Sequence, residues 1–472
     1  MTEGFENSRD HGDIHQSVKR FERMLKNNEF YFFDVDEFED LIDHYMEAGN
    51  SKQALKVVNF GCQQHPSSFT LLLYKAQLLA SSHKPREALE VLAKVETGEP
   101  NNIDIYLIKA TVFSQLREYR KAIDNYKLSL PLASKEELED IYISLAFEYE
   151  NLDEYPVAIK YLKKTLALNC ENETALYEIG FCFDINEICQ QGIEFFQEFL
   201  DSNPYSHAAW YNLGLLYNKL DMYEKSVSCF DFTIAIKEDF ASAWFNKANA
   251  FGKMGDYEKA IESYKKTIEI DEEDGTTFFH IANCYEALDR KEDALNYYHK
   301  SISADPYFGD AYLHLGFLYE EMGRLNESIH FVKKAIDLDP KQVEYLLAYG
   351  SIQIRIGFFQ EGINAFEEVI SLQNDNPLAP SLLAHALFLS GDVESSYEVI
   401  LKAIKDQPDN ASNYYLHAAN LFRENKKEEG LAELEKGLIL CRDDQDRFVS
   451  FYPESLDDLD ILELLAKYNK DL

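Results

Sequence analysis

Apolar and small side chains return along this chain in a repeating unit of about 34 residues. Cutting the sequence at this period from Val35 gives twelve units, and only the third carries two extra residues, near Pro131. Each unit holds two amphipathic helices of about a dozen residues, separated by a turn that often contains glycine. Such a period predicts a stacked array of helical hairpins. The predicted units start at Val35, Phe69, Ile103, Glu139, Glu173, His207, Ala241, Gly275, Gly309, Val343, Pro377 and Ala411.

Two positions in the unit, counted from its first residue, are restricted to small side chains. Position 8 is Gly or Ala in eleven of the twelve units, with Ile42 as the exception, and position 20 is Ala, Gly or Ser in all twelve. Glycine inside a helix costs about 1 kcal/mol relative to alanine. Gly180, Gly214 and Gly316 therefore indicate that another helix packs closely at position 8. Position 11 is large in nearly every unit and fills the space beside it, so the pattern predicts an all-α fold.

The predicted units occupy residues 35–444, and the segments outside them are expected to cover the two ends. Residues 1–34 form the predicted N-terminal cap: a flexible polar stretch through residue 15, then a short amphipathic helix from Gln16. Residues 445–472 form the predicted C-terminal cap. Its helix would use Ser455 as N-cap, and its apolar face would carry Leu456, Leu459, Leu462 and Leu465.

The net charge indicates which kinds of partner the protein can bind, and the cysteines indicate the compartment in which it is found. The chain has 84 acidic and 46 basic side chains, for a formal net charge of −38, which repels phosphate backbones and disfavours nucleic acid. No apolar run is long enough to span a bilayer, and no secretory signal is visible. The seven cysteines are scattered without a CxxC pair, which favours small buried side chains in a reducing cytoplasm. We therefore expect a cytoplasmic protein without a membrane span.

The repeated pattern resembles the tetratricopeptide repeat. In the sixth unit, a bulky residue, Leu-Gly, an aromatic residue, a small residue and a second aromatic residue follow in the order that the family uses. The resemblance covers about 410 of the 472 residues and implies a right-handed α-solenoid superhelix. The residues that carry it are Trp210, Leu213, Gly214, Tyr217, Ser226 and Phe230, and, in the ninth unit, Tyr312, Leu315, Gly316, Tyr319, Ser328, Ala335 and Pro340.

Nothing in the sequence points to catalysis. Phosphate-binding glycine loops and the HExxH zinc motif are absent, and the acidic pairs are typical of solvated turns. His280 and His314 both occupy position 6 of their units, either as a pair across adjacent helices or as two independent side chains. We therefore predict a protein that is not an enzyme and that uses no cofactor and no metal ion.

A surface remains as the candidate site. Positions 2, 5, 9 and 12 of each first helix form one stripe, and the resemblance implies that this stripe lines the ligand groove inside the superhelix. An aromatic residue at position 5 is also common for packing, so both interpretations stay open. The apolar candidates are Phe147, Tyr177, Phe181, Tyr211, Leu215, Phe245, Phe279, Leu313 and Phe317.

Asparagines give a second signal on the same helices. Asn212 and Asn246 occupy position 6 of consecutive units, and Asn249 and Asn283 occupy position 9. An amide both donates and accepts hydrogen bonds, and the resemblance implies a ladder that holds the main chain of an extended peptide. The basic residues of the clamp that some members of the family use for carboxyl termini are missing.

These observations favour a non-enzymatic protein-interaction scaffold or adaptor. Its groove would bind an extended or helical peptide segment that carries apolar anchors and lysine or arginine. The alternative is a regulatory sensor whose groove binds a small peptide or metabolite and controls a separate enzyme.

Overall fold

The computed structural model describes residues 7–27, 29–271, 274–441 and 445–468, with side chains described from residue 14 onward. Within these ranges the chain forms α-helices and short 3-10 turns and contains no β-strand. The all-α solenoid prediction is confirmed, while the right-handed superhelix stays a prediction. Residues 1–6, the predicted boundary at residue 444 and residues 469–472 lie outside the described ranges. The chain divides into two compact halves, Met1–Ala243 and Trp244–Leu472.

The N-terminal half is a row of helical hairpins in which each first helix packs on the second helix that follows it. Its helices are α1 (Asn7–Asn27), α2 (Val35–Glu47), α3 (Ser51–Gln64), α4 (Phe69–Ser81), α5 (Pro85–Gly98), α6 (Ile103–Gln115), α7 (Tyr119–Ser129), α8 (Lys135–Glu150), α9 (Tyr155–Leu168), α10 (Glu173–Ile185), α11 (Cys189–Ser202), α12 (His207–Lys219) and α13 (Tyr223–Ile236).

The C-terminal half repeats the same construction and begins within α14. Its helices are α14 (Ala241–Lys253), α15 (Tyr257–Ile270), α16 (Gly275–Ala287), α17 (Lys291–Ala304), α18 (Gly309–Glu321), α19 (Leu325–Leu338), α20 (Val343–Arg355), α21 (Phe359–Leu372), α22 (Ala379–Ser390), α23 (Val393–Asp406), α24 (Ala411–Arg423), α25 (Lys427–Leu440), α26 (Gln445–Phe451) and α27 (Leu459–Tyr468).

Most first helices begin at the residue that the repeat period predicts, and the two departures have local causes. Helix α8 begins four residues early, at Lys135, because Ser134 and Glu137 form a capping box in front of it. Helix α22 begins two residues late, at Ala379, because the side chain of Asn376 accepts hydrogen bonds from the backbone there. Capping residues therefore shift the start of a helix without moving the repeat register.

The small residues at position 8 lie where side chains of neighbouring helices pack. A Cβ atom on Gly214 would lie 2.7 Å from the ring of Phe230 in the second helix of the same unit. At position 20, the Ser226 hydroxyl donates a 2.9 Å hydrogen bond to the Gly214 carbonyl. Position 20 is therefore small because its side chain meets the backbone of the first helix.

The turn between the two helices has a left-handed residue at position 15 of every unit. Glycine occupies that position in five units and has no steric cost there. Seven units use another residue with φ between 54° and 61°, including Glu187, and these positions cost about 1–2 kcal/mol each. The left-handed conformation at position 15 is therefore set by the geometry of the hairpin, because it is found with every type of residue at that position. The non-glycine residues are His83, Arg117, Asp153, Glu187, Asp221, Asp289 and Asn425.

The N-terminal segment is more helical than the sequence predicts. Helix α1 begins at Asn7, well before Gln16, and buries Phe21 completely. The ring of Phe21 packs on Phe33, 6.1 Å away between centroids. The helix therefore covers the apolar side of the first repeat unit.

The C-terminal segment corrects the predicted cap. Ser455 is not an N-cap; it is fully buried in a 3-10 turn, Pro453–Asp457. Asp458 caps α27 instead, accepting from the backbone nitrogens of Asp460 (3.0 Å) and Ile461 (3.4 Å). The predicted apolar face is also wrong in part, because Leu456 and Leu459 are exposed. The buried side chains of α27 are Ile461 and Leu465.

The same segment continues the repeat spacing. Helix α26 begins at Gln445, one repeat period after the start of α24 at Ala411, and packs on that helix. It ends after seven residues, and the chain turns at Pro453 into the 3-10 turn. Helices α26 and α27 thus occupy the sequence positions of a shortened further hairpin.

Candidate inner face

The candidate site is the face of the first helices formed by positions 2, 5, 6, 9, 12 and 13, called here the inner face. In the N-terminal half it includes a cleft of about 590 Å³ between α4 and α6, lined by Leu73, Tyr74, Gln77, Leu107 and Thr111 among others. The predicted site began only at α8 and missed this cleft. Reading the same stripe in the second and third units would have found it.

Two predicted residues on α8 and α10 are exposed. Phe147 and Phe181 occupy position 9 of consecutive units, and 37% and 49% of their surfaces are accessible. The ring of Phe181 touches Tyr155 at its edge, 6.5 Å between centroids. Core packing leaves between a third and a half of the surface of each residue accessible, so they are the strongest apolar candidates of the predicted set.

The next predicted aromatics are packed as well as partly accessible. Tyr177 and Tyr211 contact each other edge to face, with 6.1 Å between ring centroids. Tyr211 also packs on Phe240 at 4.9 Å, and burial raises the pKa of Tyr177 to about 12. Leu215 is half-buried. These three side chains therefore contribute to stability and leave less surface for a ligand.

Two residues of the predicted site are buried, and the prediction that they contact a ligand is wrong. Asn212 is 3% exposed, and its amide nitrogen donates to the carbonyl of Ala208 at 2.8 Å. A Cβ atom on Gly180 would lie 2.1 Å from the Asn212 amide oxygen, so Gly180 leaves room for this side chain. Leu313 is 1% exposed and belongs to an apolar cluster with Val332 and Tyr345.

In the C-terminal half the two position-9 asparagines have partners inside their own units. The Tyr264 hydroxyl donates to the Asn249 amide oxygen at 2.5 Å, and the Tyr298 hydroxyl donates to that of Asn283 at 2.6 Å. Tyr298 also contacts a Glu286 carboxylate oxygen at 2.6 Å. Each bond fixes the orientation of the asparagine side chain. The amide oxygen accepts from the tyrosine hydroxyl, so the amide nitrogen is directed away from the tyrosine.

The remaining predicted residues of this half belong to an aromatic row. Phe279 lies between the two histidines, 5.6 Å from His280 and 5.0 Å from His314. Phe245 packs on His280 at 5.6 Å, and Phe317 packs on His314 at 6.0 Å. The histidines are therefore part of the aromatic packing, and burial lowers the pKa of His280. Asn246, the last predicted residue, is half-buried.

The first repeat unit gives the inner face a negative end. Carboxylates on α2 are spaced three and four residues apart, so they share one side of the helix. Burial first, and then the charges of Asp36, Asp43 and Asp40, raise the pKa of Glu39. The Tyr74 hydroxyl donates to Asp43 at 3.2 Å. This arrangement favours a positively charged ligand at the α2 side of the cleft.

The described residues contain neither a cluster of metal-binding side chains nor a helix able to span a membrane. No group of three or more His, Cys, Asp or Glu side chains among them has a metal-binding arrangement. No described helix combines the length and the apolar composition that crossing a bilayer requires. Four of the seven cysteines are buried, whereas Cys170 and Cys441 are exposed, so the expectation of buried cysteines is wrong for those two.

Comparison with known proteins gives the following matches. One tetratricopeptide repeat model matches residues 241–274, and a second matches residues 207–231, 276–308 and 309–342. Three of these stretches begin where α12, α14 and α18 begin. No curated protein matches the chain.

Solved structures with similar folds include MamA, with 18% identity, covering 34% of this chain and 95% of that one at a TM-score of 0.32. YrrB, described as a TPR protein with an unusual peptide-binding site, has 17% identity, coverages of 39% and 95%, and a TM-score of 0.33. The Cut9–Hcn1 hetero-tetramer of the APC/C has 13% identity, coverages of 98% and 93%, and a TM-score of 0.38.

Proposed function

Because this chain is a tetratricopeptide repeat protein, we propose that it is a non-enzymatic scaffold or adaptor. In this proposal the inner face binds an extended or helical segment of another protein. The segment carries apolar side chains and at least one lysine or arginine.

The observation that carries the proposal is the exposure of Phe147 and Phe181. They occupy the same position of consecutive units, and 37% and 49% of their surfaces are accessible. Neighbouring exposed aromatic rings are typical of surfaces that become buried on binding. A peptide that covers both rings removes apolar surface from water at about 25 cal/mol per Å².

The amides of Asn249 and Asn283 support the same proposal in the C-terminal half. Since their oxygens accept tyrosine hydroxyls, each amide presents its nitrogen as a donor. A donor of fixed orientation on consecutive helices suits the carbonyl groups of a peptide main chain. Net charge adds selectivity, because a protein of charge −38 attracts basic segments and repels acidic ones.

The proposal is tested by selecting binders from a library of displayed random peptides with the full-length chain. We expect peptides with apolar and basic residues to be enriched, and we expect Phe147→Ser and Phe181→Ser each to weaken their binding at least tenfold. Phe358→Ser is the matched control, because Phe358 is 55% exposed but lies in the turn before α21. Recovery of no peptide, or equal binding by all three variants, would contradict the proposal.

A further inference from the structure

Carboxylates at position 12 of the repeat unit have a recurrent partner. Asp184 pairs with Lys219 at 3.2 Å, and Glu320 pairs with Arg355. In both cases the cation occupies position 13 of the next unit. The two pairs lie in different halves of the chain, so the repeat geometry itself brings these two positions together.

Glu150 occupies position 12 of the fourth unit, and its register partner is not a cation. Position 13 of the next unit is Ile185, whose side chain is 49% exposed. Among the described residues, the polar contact that Glu150 makes is a 3.3 Å hydrogen bond from the Cys182 thiol to its carboxylate. Glu286 also lacks a cation in this register, but one of its carboxylate oxygens lies 2.6 Å from the Tyr298 hydroxyl oxygen. Glu150 thus has a vacant cation position.

The electrostatics of Glu150 agree with this vacancy. Burial, together with the nearby Glu178 carboxylate, raises its pKa to about 7, against the opposing effect of the Cys182 thiol. Burial also raises the pKa of Glu178. Two half-buried carboxylates without a neighbouring cation favour any ligand that supplies one.

The surroundings of the vacant position are apolar. Phe147 lies one helical turn before Glu150, Phe181 lies four residues before Ile185, and all three apolar side chains are more than a third exposed. Lysine and arginine combine an aliphatic stem with a charged end, so their side chains match an apolar rim around a carboxylate. Arginine has the further advantage that its planar guanidinium stacks on aromatic rings.

We propose that Glu150, Phe147, Phe181 and Ile185 form a subsite for an arginine or lysine side chain of the partner segment, with arginine preferred. The subsite rests on the proposed scaffold function and specifies one contact of it. The partner cation takes the place that Lys219 and Arg355 occupy beside Asp184 and Glu320.

The first test needs no ligand. In Ile185→Lys the introduced ammonium should pair with Glu150, as Lys219 pairs with Asp184, and lower the pKa of Glu150 by at least one unit in an NMR titration of its carboxyl carbon. Ile185→Met is the control, because it keeps an apolar side chain of similar size. An unchanged pKa in Ile185→Lys would show that position 13 does not face Glu150 and would overturn the inference.

The second test uses the peptides selected from the displayed library. A peptide with one arginine should bind Glu150→Gln and Ile185→Lys at least tenfold more weakly than the unmodified chain, while replacement of its arginine by norleucine should have a similar effect. Glu327→Gln is the control and should change the affinity less than twofold, because Glu327 pairs with Arg324 at 2.9 Å and lies on the second helix of its unit, outside the inner face. Melting curves of all variants check that they fold.

The outcomes separate this inference from the scaffold proposal. Selected peptides without a basic residue, or basic peptides that are indifferent to Glu150→Gln and Ile185→Lys, would refute the subsite and leave the scaffold proposal intact. Failure to select any peptide would refute the scaffold proposal, and the subsite with it.

The affinity should also depend on pH. The groups that face Glu150 are Glu178 and Cys182 on α10 and Tyr155 on α9. Burial keeps the thiol protonated, and the hydrogen bond to Asp153 raises the pKa of Tyr155, so the two carboxylates titrate. With a pKa of about 7 for Glu150, binding of the arginine peptide should be about tenfold tighter at pH 8 than at pH 6. Equal affinity at the two pH values would contradict the subsite.

Discussion

The same repeat position has opposite properties in two regions of the molecule. At position 9, α8 and α10 carry the exposed Phe147 and Phe181, whereas α14 and α16 carry asparagines that receive tyrosine hydroxyls. The difference follows from position 24 on the second helix of each unit. In the units of α8 and α10 that residue is Leu162 or Phe196, whose side chain cannot form a hydrogen bond with position 9. The comparison teaches that, in these four units, a tyrosine at position 24 bonds the side chain at position 9, whereas an apolar residue there leaves position 9 accessible.

The largest expected effect is on stability, and it differs between Phe196 and Phe181, two aromatic residues of the fifth repeat unit. Phe196→Ala should lower the free energy of unfolding by about 3–5 kcal/mol, because Phe196 is fully buried and its loss leaves a cavity. Phe181→Ala should cost less than about 1 kcal/mol, since half of its surface is already accessible. Chemical denaturation of the two variants measures the difference. Equal losses would mean that Phe181 serves packing and not binding.

The next effect concerns the tyrosine–asparagine bonds. Tyr298→Phe removes a hydroxyl that meets both Asn283 and Glu286, and we expect a loss of about 1–2 kcal/mol. Asn283→Ala should cost about 0.5–1 kcal/mol, because the hydroxyl keeps the Glu286 contact. The comparison region offers the control: Leu215, at the same position of the sixth unit, has the apolar Phe230 at position 24, so Leu215→Asn gains no such bond. If Asn283→Ala had the same melting temperature as the unmodified chain, the bond to Tyr298 would not contribute to stability, and the amide would be free to serve ligand binding alone.

A smaller effect depends on pH. The pKa of Glu150 is raised to about 7 in the folded chain, above its unfolded value, so the folded state binds more protons between the two values. Stability contributed by protonated Glu150 is present at low pH and is lost as the pH rises to about 7. Glu150→Gln should therefore stabilise the chain by about 1 kcal/mol at pH 8, after allowance for partial solvent exposure, and by much less at pH 4. Unfolding curves at the two pH values check this; no difference between them would indicate that Glu150 has an ordinary pKa.

The smallest effect concerns the left-handed residue at position 15, which both regions share. Glu187→Gly, in the turn after α10, relieves a left-handed residue with φ of 54° and should stabilise by about 0.5–1 kcal/mol. Gly255→Ala, in the turn after α14, should destabilise by a similar amount, because φ there is 79°. Opposite signs in the melting temperatures are expected, and equal signs would exclude a shared turn geometry.

Much of this architecture follows from local sequence rules. The repeat period places the start of α12 at His207 and of α16 at Gly275, and small residues at position 8 announce close contacts such as the one between Gly214 and Phe230. These features are predictable because each depends on residues within one hairpin or its neighbour.

The accessible part of the inner face was harder to predict. Asn212 and Asn249 look alike in sequence, yet Asn212 bonds to the backbone of its own helix and Asn249 to Tyr264. Burial at position 6 depends on the room that Gly180 leaves on the preceding first helix. The contact at position 9 depends on a residue 15 positions later, and the pairing of Tyr with Asn was visible in the sequence. Reading positions 9 and 24 together would have separated the two bonded asparagines from the accessible Phe147 and Phe181.

The shortened hairpin of α26 and α27 covers the end of the twelfth repeat unit, because α26 packs on α24 and α27 packs on α25. Helix α26 keeps the repeat spacing, yet it stops after seven residues, and Pro453 directs the chain into a turn. The helices that cover the twelfth unit are therefore a variant of the repeat itself, which starts in register and has a shorter first helix. Covering that unit thus takes only a change in helix length, with no new type of structural element.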